Sequence, residues 1–170
     1  MKLMNVKNFL VIFILFLTIE GLRAQDFSIE ADTLVFNRTS NIFSAKGNVK
    51  IYLADIIMKT ERLTFNKNSE KINFTSEIII KTNEKTIILA SEAELDKKTR
   101  KTLAKNVKAL IEERFQIASE EMKVEGENTV FKKAIGTPCE ICILNPEPSW
   151  VLKSERLLHN RKTKKLHFYN

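Results

Sequence analysis

The chain has 170 residues, 44% hydrophobic and 29% charged, with a formal net charge of +7 and only 4 Gly, 3 Pro and 2 Cys. That length suits one domain, and so few Gly and Pro, without a Gly-rich or Ser-rich linker, exclude an evident domain boundary before Gly136. Lys and Arg are interspersed with acids, without aromatic-basic interleaving or an arginine-bearing helix, so the charge describes a solvated face and no nucleic-acid partner is expected.

Residues 1–24 come first. Lys2 and Lys7 precede an apolar run from Phe9 to Ile19, followed by Glu20, Gly21 and a short stretch ending at Ala24. The run is shorter than the ~20 residues a membrane-spanning helix needs, and the basic-apolar-small order is that of a secretory signal peptide. Cleavage after Ala24 is expected, with a retained N-terminal anchor as the alternative; either leaves residues 25–170 as one exported domain. Removing Lys2, Lys7, Arg23 and Glu20 lowers the net charge from +7 to +5.

From Phe27 to Ile51 the chain sets a pattern that then repeats. Asp32, Glu61, Glu92, Glu120 and Glu155, each preceded by a small residue, recur at a spacing of about 30 residues, within the range of stacked supersecondary units. Three positions before each acid stand Ile29, Met58, Leu89, Ile117 and Leu152, and five before stand Phe27, Ile56, Ile87, Phe115 and Trp150. Two positions after stand Leu34, Leu63, Glu94, Met122 and Leu157, where Glu94 alone breaks the column. Between these markers apolar and polar residues alternate, as in Phe43, Ala45, Val49, Ile51 and Leu53, which is the period of a strand with one dry face. Polar turns are predicted at Asn37–Asn41, Asn66–Ser69, Asp96–Arg100 and Glu125–Asn128. Ala90 to Glu113 is rich in helix formers, but the repeat register runs through it and predicts strand there too.

Residues 137–149 change character and predict a loop, Thr137-Pro138-Cys139-Glu140-Ile141-Cys142 followed by Asn145-Pro146-Glu147-Pro148. One CxxC cannot complete a four-thiolate zinc site, His159 and His167 lack ligand spacing, and no metal or other cofactor is expected. In an exported chain a disulfide involving Cys139 and Cys142 is the default, with each other or with a partner outside this chain. The recurring acids could be glycosidase carboxylates on a β-helix, but one acid per repeat at fixed register is more simply a corner residue, able to accept backbone N–H bonds where a strand stops. No Ser-His-Asp or phosphate-loop arrangement occurs, so no catalytic residue is assigned.

What remains is the interior. A sheet of alternating residues folded into a V-shaped or flattened roll encloses a long apolar trough. Its expected lining is Phe27, Ile29, Leu34, Phe43, Val49, Ile56, Met58, Leu63, Ile87, Leu89, Phe115, Ile117, Trp150 and Leu152. These residues either fill a closed core or hold acyl chains. Each methylene hidden from water is worth about 0.8 kcal/mol, so a sheltered path for a lipid tail removes a large barrier to carrying it through water.

The segments Ile29–Phe36 and Phe43–Ile51 resemble the OstA-type repeat of the lipopolysaccharide-transport proteins LptA and LptC and of the N-terminal domain of the outer-membrane assembly protein LptD. The stretch from Thr137-Pro138-Cys139 to Trp150 and on to His159-Asn160 is similar to the LptD type, with Asn where that type has Asp. The resemblance implies an all-β OstA-type jellyroll in the periplasm at the outer membrane, whose groove holds the lipid A acyl chains of lipopolysaccharide. It further implies edge-strand pairing with an LptA-like bridge protein, and an outer-membrane β-barrel with its lipoprotein among the partners. LptD proteins join this domain to their barrel by disulfides, and Cys139 matches the family cysteine; a free-standing module would instead pair Cys139 with Cys142. The sequence ends at Asn170 where that family continues into a barrel, so no C-terminal barrel is expected within it. A structural exported β-repeat protein assembling edge to edge is the alternative expectation, and a polysaccharide enzyme the third.

Overall fold

The computed structural model describes residues 27–53, 56–99, 101–138 and 148–170, all outside helices; the expected signal peptide, Cys139 and Cys142 lie outside the described residues. The strands are β1 (Phe27–Glu30), β2 (Thr33–Asn37), β3 (Ile42–Leu53), β4 (Ile56–Asn66), β5 (Lys71–Phe74), β6 (Ile78–Thr82) and β7 (Ile87–Ala90). They continue as β8 (Glu92–Asp96), β9 (Lys101–Ile111), β10 (Phe115–Glu125), β11 (Asn128–Thr137), β12 (Leu152–Asn160) and β13 (Lys165–Tyr169). Every pairing is antiparallel, and the stretch rich in helix formers is β8 and β9. Alternation and pairing override local propensity there, because the strand register buries Ala93, Ala104, Val107 and Ala109.

Each long strand contributes to two walls. The first half of β3 joins β2 and the second half of β4, and this wall continues through β5, β8 and parts of β9, β10, β11 and β12 to β13. We call it wall A. Wall B runs from β1 across the second half of β3 and the first half of β4 to β6 and β7, then over the remaining halves of β9 to β12. The two walls meet along a corner and fold their apolar faces together, giving the V-shaped jellyroll expected from the repeat.

The corner is where the recurring small-plus-acid pairs fall. At it the ladder skips or shifts: Lys46 and Val49 bracket a bulge in β3, and the inward positions jump by three from Thr60 to Leu63, Ala104 to Val107, Ser119 to Met122, and Phe131 to Ala134. Ladder groups released by the bend are taken up mainly by the hydroxyls, not by the carboxylates. Thr60 Oγ1 donates to Glu77 O at 2.9 Å, Ser119 Oγ to Glu121 O at 3.3 Å, and Ser154 Oγ bonds Arg156 O at 2.8 Å and Tyr169 O at 2.7 Å. The acids instead point outward to Lys105 from Glu92 and to Lys133 from Glu120. Gly47 turns the corner at φ +79°, and a Cβ there would collide with the Asp32 carboxylate, which accepts from Asn48 Nδ2 at 2.9 Å.

Wall A turns share one device. Asn37, Asn66, Asp96 and Asn160 each accept a backbone N–H from the residue three further on, with Asn41, Glu70 and Lys164 in the left-handed region. The backbone N–H bonds from Thr99, with a smaller opposing cost of burial, hold the Asp96 carboxyl below its ordinary value. Three of these four positions are turns foreseen from the sequence; the fourth, at 161–164, belongs to a hairpin whose pattern is too polar to stand out.

Candidate functional site

The interior between the walls is the only space into which apolar side chains from every repeat converge among the described residues. Its fully buried members are Phe131, Ile51, Leu63, Ile78, Met122, Leu157, Val49 and Val107, drawn from both walls. Of the trough residues expected from sequence, Val49, Met58, Leu63 and Ile117 are buried here, and Ile29, Phe43, Ile56 and Phe115 pack partly buried against them. Phe27 enters through its backbone, paired with Leu53.

The other five expected lining residues are outside this packed set. Ile87 and Leu89 lie on the outer face of wall B, since their neighbours Ile88 and Ala90 point inward and Ile88 pairs with the buried Ala109. The column register counted from Glu92 is one residue off in this unit, and a one-residue shift flips every side chain of a strand. Taking Ser91 as the marker corrects it: Ala90 becomes the small residue before it, Ala93 and Leu95 point inward, and Glu94 moves outside to meet Lys71 at 2.7 Å. The break at Glu94 was the visible sign. Leu34, Leu152 and Trp150 are exposed at the two ends of the trough, at 49%, 39% and 50%. The columns include Leu157 but miss Phe131, because the inward positions of β11 jump by three from Phe131 to Ala134 at the corner.

The two ends differ. At the β2 end, Leu34 pairs with the buried Ala45 and Phe36 with the core-packed Phe43, so both lie on the inner face, yet both are about half exposed. Apolar lining therefore runs to an uncovered edge. At the β13 end, Phe115 of wall B meets Phe168 of wall A edge to face at 6.2 Å between centroids. The Phe115 ring occupies the space left by Gly136, where a Cβ would clash with it. Across the same end, Lys164 from a wall A turn pairs with Glu112 from a wall B turn at 3.2 Å. That end is bridged.

Between the ends, a cavity of about 120 Å³ lies between Ile51, Leu53 and Met58 of wall B and Ile72, Phe74 and Leu95 of wall A, with Lys97 at its margin. The Lys97 ammonium stands 5.5 Å over the Phe65 ring. The buried polar groups are Thr86, Ser119, Thr129, Thr137, Ser154 and His159. Burial holds the His159 imidazole below its ordinary value, opposed by nearby Glu112, so it is neutral at pH 7. The trough thus presents an uncharged apolar surface without a cluster of groups suited to acid–base or nucleophilic chemistry among the described residues.

A comparison with curated proteins finds no match. Among solved structures, the chain is similar to LptH from Pseudomonas aeruginosa, described as the LptA-homologous periplasmic component of the conserved lipopolysaccharide transport device. The identity is 10% over 86% of this chain and 83% of that chain, with a TM-score of 0.37. The family model for the OstA-like protein matches residues 16–134, more than half of the sequence. On that match, the chain belongs to the OstA-like family.

Proposed function

We propose that this protein works in the periplasm in lipopolysaccharide transport, sheltering lipid A acyl chains between its walls and pairing edge to edge with LptA-like partners. One observation carries the reading: an apolar interior formed by every repeat reaches an uncovered edge at Leu34 and Phe36, while the other end is spanned by Phe115 and Phe168 with Trp150 and Leu152 exposed beside them. A closed core has no use for two half-exposed apolar side chains on its inner face, whereas a conduit needs a mouth. Strand β2 is exposed along its whole length and pairs only with β3 among the described strands, so its free edge can accept a partner strand. LptH, described as a component of such a device, and the family match support the same reading. The outward corner positions of Glu61, Glu92, Glu120 and Glu155 support a non-enzymatic role.

A cavity of about 120 Å³ is too small for an acyl chain of roughly a dozen methylenes, so loading requires the walls to part. The same small volume favours the second reading, a structural repeat protein with a dry core. A photo-crosslinker decides between them. Placed at Ile29 or Ile117 on the inner face, it captures lipopolysaccharide, and placed at Lys50 on the outer face it does not; equal labelling at all three sites, or none, removes the conduit.

A further inference from the structure

The outer face of wall B interleaves lysines with aliphatic side chains. Its outward residues run across paired strands as a checkerboard: Lys59 opposite Ile79, Lys81 opposite Ile87 and Ile57, Lys108 opposite Leu89 and Ala118, and Lys153 opposite Ile135. The four lysines are exposed, and none forms an ion pair among the described residues. Ile57, Ile135 and Val151 are exposed at 40%, 44% and 40%. Near its β11 end the face sinks into a depression of about 710 Å³ lined by Ile87, Leu89, Leu110, Ile135 and Val151 with Lys108 at its side. The acids of this wall stand at its margins: Glu61, Glu77, Glu120 and Glu155 at the corner, Glu30 beside Lys50 on the edge, and Glu84, Glu112 and Glu113 in the turns at the far end, where Glu113 meets Lys85 and Glu112 meets Lys164.

We propose that this face docks the protein onto an anionic membrane surface. Its width from β4 to β12, six strand steps of about 4.8 Å, is of the size a bilayer surface can meet. Aliphatic side chains enter the boundary between headgroups and acyl chains, and lysine stems lie along them while the ammonium groups reach phosphates. An acidic protein partner would require fixed hydrogen-bonding groups to set register, and the face offers flexible cations between aliphatics instead. The match is therefore of charge and amphipathicity with a lipid surface. Each lysine near such a surface strengthens binding by roughly fivefold, and salt screens it.

The test is flotation of the full chain with vesicles of phosphatidylcholine alone and of phosphatidylcholine and phosphatidylglycerol in a two-to-one ratio, both free of lipopolysaccharide. Two variants lose the same charge at different places: Lys59→Gln, Lys81→Gln, Lys108→Gln and Lys153→Gln on wall B, and Lys71→Gln, Lys101→Gln, Lys123→Gln and Lys132→Gln on wall A. Residues 1–24 are common to all and cancel, and β-sheet circular dichroism confirms that each variant is folded. We expect the parent to prefer anionic vesicles, the wall B variant to lose that preference by on the order of 100-fold or more, and the wall A variant to stay within a few-fold of the parent. Equal loss in both variants reduces the effect to net charge, and no loss in either, or equal parent binding to both vesicle types, overturns the proposal. Failure to bind, with a dimer in solution that the wall B variant dissolves, assigns the face to a second copy instead. None of these outcomes touches the crosslink at Ile29, so this inference and the conduit fail separately.

Discussion

The two walls share one interior but answer the same alternation differently on their outer faces. Wall A matches its outward lysines with glutamates on neighbouring strands: Lys71 with Glu94 at 2.7 Å, Lys101 with Glu125 at 2.6 Å, and Lys132 with Glu121 at 2.6 Å. Wall B places lysines beside isoleucine and leucine. The inner positions are constrained by packing alike in both walls, whereas the outer positions are free of the core and can be tuned to what each wall meets. Wall A is a surface for water, and wall B carries a surface that water covers poorly.

The largest expected effect tests whether the aliphatics of wall B are exposed by role or by loose packing. Phe131→Ala removes a ring with 0% exposure from the inner face and should cost about 3–5 kcal/mol, whereas Ile135→Ser, on the same strand but past the corner and on the outer face, should stay within about 0.5 kcal/mol. Urea unfolding of both variants measures the difference, and comparable losses would mean that the outer aliphatics are part of a core. Next in size is the corner that joins the walls. Ser154 Oγ donates within reach of Arg156 O and Tyr169 O and accepts from Tyr169 N at 3.1 Å, so Ser154→Ala should cost about 1–3 kcal/mol by leaving partly buried ladder groups unsatisfied. The same substitution at exposed Ser149 is the control.

Much of this was legible in the residues. The polar turns opened by Asn37, Asn66 and Asp96 and the alternation in β3 are local signals, and the all-β fold follows from them. The corner was visible as a repeat of small-plus-acid pairs, but which atom does the stitching was not, because Ser and Glu both accept and bond backbone. The trough lining was legible only where the repeat register was right. In β3 the bulge at Gly47 and Asn48 adds a residue, so alternation passes through the corner without a visible phase break; elsewhere the inward positions jump by three and a column-by-column alignment loses them. The slip at Leu89 arose because Ser91-Glu92 offers two markers side by side. Bridging of one end by Phe115 and Phe168 depends on residues 53 apart in the chain, and no local pattern marks it.

A smaller effect separates the walls by charge on the inside. Among the described residues His159, on the inner face of wall A, is the titratable side chain in the buried set. Burial lowers its folded-state value, Arg161 adds to this, and Glu112 and Glu84 oppose it. The unfolded imidazole then takes up a proton before the folded one. Its contribution to stability is complete above about pH 6.5 and is lost as pH falls toward the lower folded-state value. Melting temperature should drop from about pH 7.5 to 5.5 in the parent, and His159→Gln should remove that component of the slope. An unchanged slope would place the titrating group elsewhere.

The smallest effect concerns the ion pairs of wall A. Lys71 is held above its ordinary value by its hydrogen bond to Glu94, and Glu125 below its own by Lys101 and then Lys123, but all of these groups are open to water. Solvent screening leaves such pairs little net contribution, so Glu94→Gln should shift the unfolding midpoint barely beyond error, and added salt should erase what remains. Their consequence lies in what they prevent. Lys71, Lys101, Lys123 and Lys132 of wall A are each neutralised by a glutamate, and replacing Glu94, Glu121 and Glu125 by Gln would give that wall a cationic lattice there. If vesicle binding then appears on wall A, cation density alone suffices. If it does not, the isoleucines and leucines of wall B are needed as well, and the difference between the two outer faces lies in their apolar residues as much as in their charge.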